Sequence, residues 1–402
     1  MSLSFDPAKA HRISAWMQRY VDARKFAGCS TLILQDGHEV FFDTCGQRDV
    51  DTGAPWERNT VARIYSMTKP VTSLVMMMLV EEGVIHLDAP VSAVLPEFAD
   101  MHCLVPGASA LDQVQPCAPP TLHQLLTHTS GLSYPFNPGL LAEAMQVEDL
   151  VYKHGQGSLR DVTGKVAALP LAFRPGTRWE YSVGIDVIGC VIEEMTGQSL
   201  GAVMAARVFE PLGMYETDFA VPPHAADRFA ALYTPLAGGA MDLNAQEKGG
   251  EPLRLVDAPD ASAYHAPTLH SGGGGLVGTI DDYAKFAEAL RTGGAGLVSP
   301  ATMAFMQRNH LPGDIASMGP ASFAEQPMEG MGFGIGGAVV IDPARARVPG
   351  SVGDFSWGGM ASTFFWSDPV HRLSALFFTQ LAPSSSYPAR PELKALVHGC
   401  LS

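Results

Sequence analysis

Positive charge is scarce in this chain. Lys and Arg number 26 against 41 Asp and Glu in 402 residues, a formal net charge of −15 at pH 7. An acidic surface repels phosphate backbones and anionic lipid headgroups, so neither nucleic acid nor a membrane surface is an expected partner. Long apolar runs are missing as well. The longest, Leu74 to Val80, falls far short of the roughly 20 residues a spanning helix needs. The opening MSLSFDPAKAHR has no basic segment leading into an apolar run, which makes a secretory signal unexpected and a cytoplasmic location the natural reading. Cysteine is sparse, with six residues at 29, 45, 103, 117, 190 and 400. Nothing in their spacing suggests pairing, and such thiols in a large cytosolic chain are mostly buried and reduced. No His/Cys cluster has zinc spacing, and no Gly-Lys-Ser/Thr follows the glycines at 272–275. Neither a metal nor an anionic cofactor is therefore expected.

What is abundant is turn and core. The chain holds 41 Gly and 30 Pro beside 47% hydrophobic residues, the composition of a globular protein large enough for two lobes. Residues 6–24 place Ile13, Met17 and Val21 four apart, with Trp16 and Tyr20 widening the stripe, which predicts an amphipathic helix. Two apolar runs around Gln35-Asp36-Gly37-His38 predict a hairpin. From Ser66 to Glu82 almost every face is apolar and Pro70 falls in the first turn, which predicts a buried central helix starting close to Ser66. Met76, Met77 and Met78 read as its core filling. Residues 100–125 read as irregular, and helical patterns recur at 139–152, 160–169, 184–196 and 199–210. Thr279 is the expected cap of a helix after the glycine run. Three strand-like runs and a short helix close the chain. Strands at both ends with helices between predict an α/β lobe of residues 1–98 and 263–402, with a mostly helical lobe, 99–262, inserted.

Two serines compete as nucleophile. Gly197-Gln198-Ser199-Leu200-Gly201 fits the G-x-S-x-G pattern, but that elbow needs a preceding strand and the preceding text is helical. Gly197 reads better as the stop of one helix and Ser199 as the cap of the next. Ser66-Met67-Thr68-Lys69 places a lysine one turn beyond a serine at the mouth of the buried helix. A lysine amine can take a hydroxyl proton only if burial or a neighbouring cation lowers its pKa from about 10.4, and this helix offers burial. The amides at its N-terminus also face any negative charge developing on a carbonyl oxygen.

The motif does not stand alone. It is followed by Leu125-Leu126-Thr127-His128-Thr129-Ser130-Gly131-Leu132, Pro175-Gly176-Thr177-Arg178-Trp179-Glu180-Tyr181-Ser182, His270-Ser271-Gly272-Gly273-Gly274-Gly275-Leu276 and Trp357-Gly358-Gly359. In that order, these landmarks resemble the serine β-lactamase and penicillin-binding superfamily, most closely its family VIII carboxylesterases. The resemblance implies an antiparallel sheet flanked by helices, with Ser66 as the acylated nucleophile, Lys69 as its activating partner and Tyr181 as the phenol that returns the proton to the leaving alkoxide. Either Lys69 or Tyr181 can be the base. The resemblance also implies an oxyanion hole from the amides of Ser66 and Met360, and a substrate edge at Trp357, Gly358 and Gly359.

Two departures bear on substrate. Val183 stands where the lactam and peptide enzymes carry Asn, and Trp357 where they carry a cationic Lys. Both favour neutral esters over carboxylated lactams, so the expected partner is a small-molecule ester. A lactamase or D-amino-acid peptidase, an acyltransferase and a non-catalytic penicillin-sensor module stay open as alternatives, and oligomeric state is not readable. His128 and His270 are read as structural hydrogen-bonding residues, and Asp186 as a carboxylate on the helix surface or one step removed from the chemistry.

Overall fold

The structure is a computed structural model that describes residues 3–235, 253–324 and 326–402. Helix α1 (His11–Asp22) forms on the predicted stripe and buries Ile13, Trp16, Met17 and Tyr20. Strand β1 (Gly28–Gln35) turns through Asp36 and Gly37, at φ of 55° and 81°, into β2 (His38–Asp49). Asn/Asp-Gly pairs tolerate these left-handed conformations, which match the twist of a two-residue hairpin. A short β3 (Ala54–Pro55) follows. The remaining strands of the large sheet come from the far end of the chain: β4 (Met331–Phe333), β5 (Ala338–Val340), β6 (Phe355–Gly358), β7 (Phe364–Asp368) and β8 (Leu373–Thr379). Their order is β4-β5-β6-β7-β8-β1-β2-β3, antiparallel throughout. Both ends of the chain thus meet in one sheet, with Leu32 opposite Leu376 on one side and Phe42 on the other.

The central strands alternate between two buried faces. Ile33, Phe364, Trp366 and Phe377 point to one side, where they pack with α1 and the C-terminal helix; Leu32, Phe365 and Leu376 point to the other. That second face is covered by the helix Ile280–Arg291, whose Tyr283 and Phe286 are fully buried, as Thr279 caps its N-terminus by accepting from Asp282 N. Deeper in the same core lies α2 (Thr68–Glu81), buried from Thr68 to Leu79, Met76, Met77 and Met78 included. A short 3-10 turn, Tyr65–Met67, precedes it, so regular α-helix begins two residues beyond Ser66.

The middle of the chain is largely helical: α3 (Leu122–Leu126), α4 (Leu140–Val147), α5 (Leu159–Ala167), α6 (Gly184–Thr196) and α7 (Leu200–Met204). The stretch read as irregular contains a small antiparallel pair, His102–Leu104 with Val114–Pro116, and the start of α3. There Thr121 and Gln124 close a reciprocal capping box, a local signal strong enough to start a helix directly after two prolines. Gly197, at φ 66°, ends α6, and the Ser199 side chain caps α7 by accepting from Ala202 N. Among the described cysteines all six are free, but Cys29 and Cys45 are direct cross-strand partners with sulfurs 3.7 Å apart. Their separation in sequence concealed a pairing that the β1–β2 register creates.

The C-terminal helix (Ala389–His398) is tied to the start of β6 by one buried ion pair, Lys394 Nζ to Asp354 Oδ2 at 2.7 Å. Burial pushes the Asp354 carboxyl up, against the pull of Lys394. Removing one partner leaves a buried charge uncompensated, whereas replacing both by apolar groups is often neutral. Lys394→Ala is therefore expected to lose about 3 kcal/mol in urea unfolding, and the double change Lys394→Met with Asp354→Leu much less. Equal losses for the two variants would show that charge compensation is not what the pair provides.

Candidate active site

Sequence places Ser66 at the end of a buried helix, and the backbone gives it an unusual approach. Tyr65, immediately before it, has φ of 42°, a left-handed conformation that a bulky residue adopts only under constraint, at about 1–3 kcal/mol. The constraint is local packing. The carbonyl of Ile64 lies where a Cβ on Gly359 would be, 2.2 Å away, so the strand carrying Trp357-Gly358-Gly359 can close on the turn only because residue 359 has no side chain. On the opposite side α2 is pinned to the glycine-rich turn: Leu276 N donates to Thr68 Oγ1 at 3.1 Å, and Thr72 Oγ1 donates to Gly272 O at 2.7 Å.

Lys69 is fully buried, and its hydrogen bonds are all short-range and specific. Nζ donates to Gly273 O at 2.7 Å, to Tyr134 Oη at 3.0 Å and to Ser66 Oγ at 3.3 Å. Tyr181 meets it differently, offering its ring face, with Nζ 4.6 Å from the centroid. That ring is itself held in an aromatic cluster by His128, Tyr134, Phe323 and Trp357, with centroids 4.8 to 5.4 Å away. The three residues singled out from sequence are thus brought together, Ser66 and Lys69 by hydrogen bond and Tyr181 by ring contact.

Tyr134 was not anticipated. It follows the Thr-His-Thr-Ser-Gly-Leu block by two residues, and only that adjacency could have pointed to it. Burial, with Asp186 next to it, drives its phenol well above the ordinary range, so it is a neutral hydrogen-bonding group at pH 7. Asp186 is not on a helix surface. It is buried, with Oδ1 accepting from Ser271 Oγ at 2.5 Å and Gly273 N at 2.9 Å, and Oδ2 from Tyr134 Oη at 3.4 Å. Burial pushes its carboxyl up, while the Lys69 charge and these donors pull it back.

Both histidines have structural partners. His128 Nδ1 bridges to Ser182 Oγ at 3.1 Å, and burial beside the Lys69 charge holds its imidazole well below the usual range, hence neutral. His270 receives Gly201 N at 3.1 Å and stacks on Phe219. Two spaces open at Ser66. A groove of about 810 Å³ is walled by Tyr134, Phe136, Tyr152, Tyr264 and Met360, and a recess of about 30 Å³ lies between Tyr181, Phe323, Trp357 and Met360. Ser66 and Met360 border both, which puts the two backbone positions expected to form an oxyanion hole at the same junction. No described group of three or more His, Cys, Asp or Glu is arranged to hold a metal ion.

A family profile described as Beta-lactamase matches residues 13–399. The chain is 33% identical to Esterase EstB of Burkholderia gladioli over 394 residues, covering 95% of this chain and 93% of that one. It is 34% identical to Protein Rv1367c of Mycobacterium tuberculosis over 386 residues, covering 93% and 91%. Among solved structures it superimposes on EstCE1, described as a hydrolase with promiscuous acyltransferase activity, with a TM-score of 0.80, 28% identity and 98% of each chain covered.

The glycine turn provides a direct check on the site geometry. A Cβ on Gly273 would stand 2.2 Å from Asp186 Oδ2 and 3.0 Å from Tyr134 Oη, so Gly273→Ala must displace either the turn or the Asp186 and Tyr134 side chains, and with them the groups around Lys69. Phosphonylation of Ser66 by a fluorophosphonate is expected to slow by about 10²-fold in a variant with unchanged circular dichroism. Labelling at the unaltered rate would show that the turn does not position the lysine.

Proposed function

The chain belongs to the Beta-lactamase family and is a serine hydrolase, a β-lactamase-fold esterase, and from that premise we propose that it cleaves small, short-chain carboxylic esters through an acyl-enzyme on Ser66. One observation carries this reading: a buried lysine directs one of its three hydrogen bonds to a serine hydroxyl, 3.3 Å away, beneath the face of Tyr181. A serine hydroxyl becomes nucleophilic only when its proton has somewhere to go, and the Lys69 amine lies 3.3 Å from it with the Tyr181 ring face against that amine.

In the proposed cycle Ser66 Oγ attacks the ester carbonyl and its proton passes to the Lys69–Tyr181 pair. The two groups share one proton, and either can be named the base. Negative charge on the carbonyl oxygen meets the amides of Ser66 and Met360. Tyr181 returns the proton to the departing alkoxide, and water, activated by the same pair, hydrolyses the acyl-enzyme. Trp357 and Val183 support neutral esters as substrates, since neither offers the cation or the amide that would read a lactam carboxylate or peptide. The carriage of Trp357-Gly358-Gly359 supports a place among family VIII carboxylesterases, acting in the cytoplasm on small molecules, with residues 99–262 as the inserted lobe that shapes the groove. Transfer of the acyl group to a second alcohol is the other reading, favoured by the likeness to EstCE1, because water and an alcohol compete for one intermediate.

A fluorophosphonate followed by digestion and mass spectrometry is expected to label Ser66 and not Ser199; label on Ser199 would overturn the assignment of Lys69 and Tyr181 as well. Ser66→Ala is expected to abolish hydrolysis of p-nitrophenyl butyrate, a loss of about 10⁴-fold or more, with the fold retained. Nitrocefin and D-Ala peptides should turn over far more slowly than the ester, and a lactam rate above the ester rate would reverse the substrate assignment.

A further inference from the structure

Asp186 is a fully buried carboxylate outside the three residues of the proposed cycle, and its contacts divide in an informative way. Through Oδ1 it takes the amide of Gly273 at 2.9 Å, and the carbonyl of that same residue accepts from Lys69 at 2.7 Å. Through Oδ2 it takes the hydroxyl of Tyr134, and the oxygen of that hydroxyl accepts from Lys69 at 3.0 Å. Two of the three positions around Nζ are thereby fixed as donors. A carbonyl oxygen can only accept, and a phenol already donating to a carboxylate must accept from the amine. The third position faces Ser66 Oγ, and in the neutral amine it is where the lone pair must lie.

We propose that Asp186 is a positioning residue for proton transfer at Ser66: by orienting the Gly273 peptide and the Tyr134 hydroxyl it turns the free direction of Lys69 toward the serine. The inference rests on the reading of Ser66 and Lys69 given above. Asp186 also places a carboxyl among the groups that face Lys69, namely Tyr134, Tyr181 and His128. An asparagine at 186 would keep a carbonyl for Ser271 and Gly273 but turn its amide N–H toward Tyr134. That phenol would then donate to Lys69 and divert the lone pair from Ser66.

The test is Asp186→Asn assayed on p-nitrophenyl butyrate. The expected result is a fall in kcat of about 10²-fold with KM within about threefold, as for loss of general-base alignment. The acidic limb of kcat/KM should move to lower pH, because removing an anion disfavours the protonated form of whichever neighbour titrates. Adding Tyr134→Phe to Asp186→Asn should cause no further loss, since the misdirected hydroxyl is gone, whereas independent structural damage would add. A kcat and an acidic limb both unchanged, with Ser66 still the labelled serine, would overturn the inference and leave the nucleophile assignment standing. Label on another serine would remove both. Should Asp186→Asn fail to fold, Tyr134→Phe alone decides: a loss of about tenfold in kcat supports the arrangement, and unaltered turnover refutes it.

Discussion

The site depends on one fully buried amine. Lys69 is sealed inside the protein, and a buried lysine is tolerated only when each of its polar directions is matched. Here one matching group, Ser66, is a turn away, and three come from distant parts of the chain: Tyr134 after α3, Gly273 in the glycine turn and the ring of Tyr181 ahead of α6. Much of the surrounding architecture can be understood as holding those four in place. Thr68 and Thr72 tether α2 to residues 272–276, and Asp186 reaches from α6 to the same turn. Losing any tether would leave the lysine with an unmatched direction in a low-dielectric interior, where such defects are expensive.

The glycines of residues 272–275 acquire a meaning from this that differs from phosphate binding. Helices α2 and α6 approach each other across the turn so closely that a Cβ on Gly272 would lie 2.8 Å from Ile185 O. The turn is therefore a spacer between two buried helices, and its lack of side chains lets a backbone carbonyl reach into the core as a hydrogen-bond acceptor for Lys69. A backbone acceptor cannot change its protonation, which makes it a steady partner for an amine that shares a proton with its neighbour in the proposed cycle.

Much of the fold was legible in the sequence, for identifiable reasons. The hairpin at Asp36-Gly37 and the helix beginning at Thr279 carry local signals, a left-handed dipeptide and a capping hydroxyl, whose physics is complete within a few residues. The strands near the end of the chain were visible as apolar runs. Which side of the sheet each residue faces was not visible, because helices cover both faces and Leu373–Thr379 is buried at every position. A strand buried on two sides loses the alternation that marks one buried on a single side. The capping box of α3 is masked by the proline-rich stretch before it, and the Cys29–Cys45 pairing follows only from the register of β1 and β2.

For the site, sequence alone determined the pairing of Ser66 with Lys69, since a spacing of three brings them onto one side of a helical turn, whether 3-10 or α. It also determined that the helix would be buried, as no polar face was available to keep it at the surface. What only the tertiary structure decided was which groups complete the lysine. Tyr134 and Asp186 lie far from it in the chain, and they meet it only because α2, α6 and the glycine turn pack at contact distance. Local geometry follows from bonded neighbours and is written in the text, whereas the partners of a buried charge are chosen by packing among segments that the chain brings together only when folded.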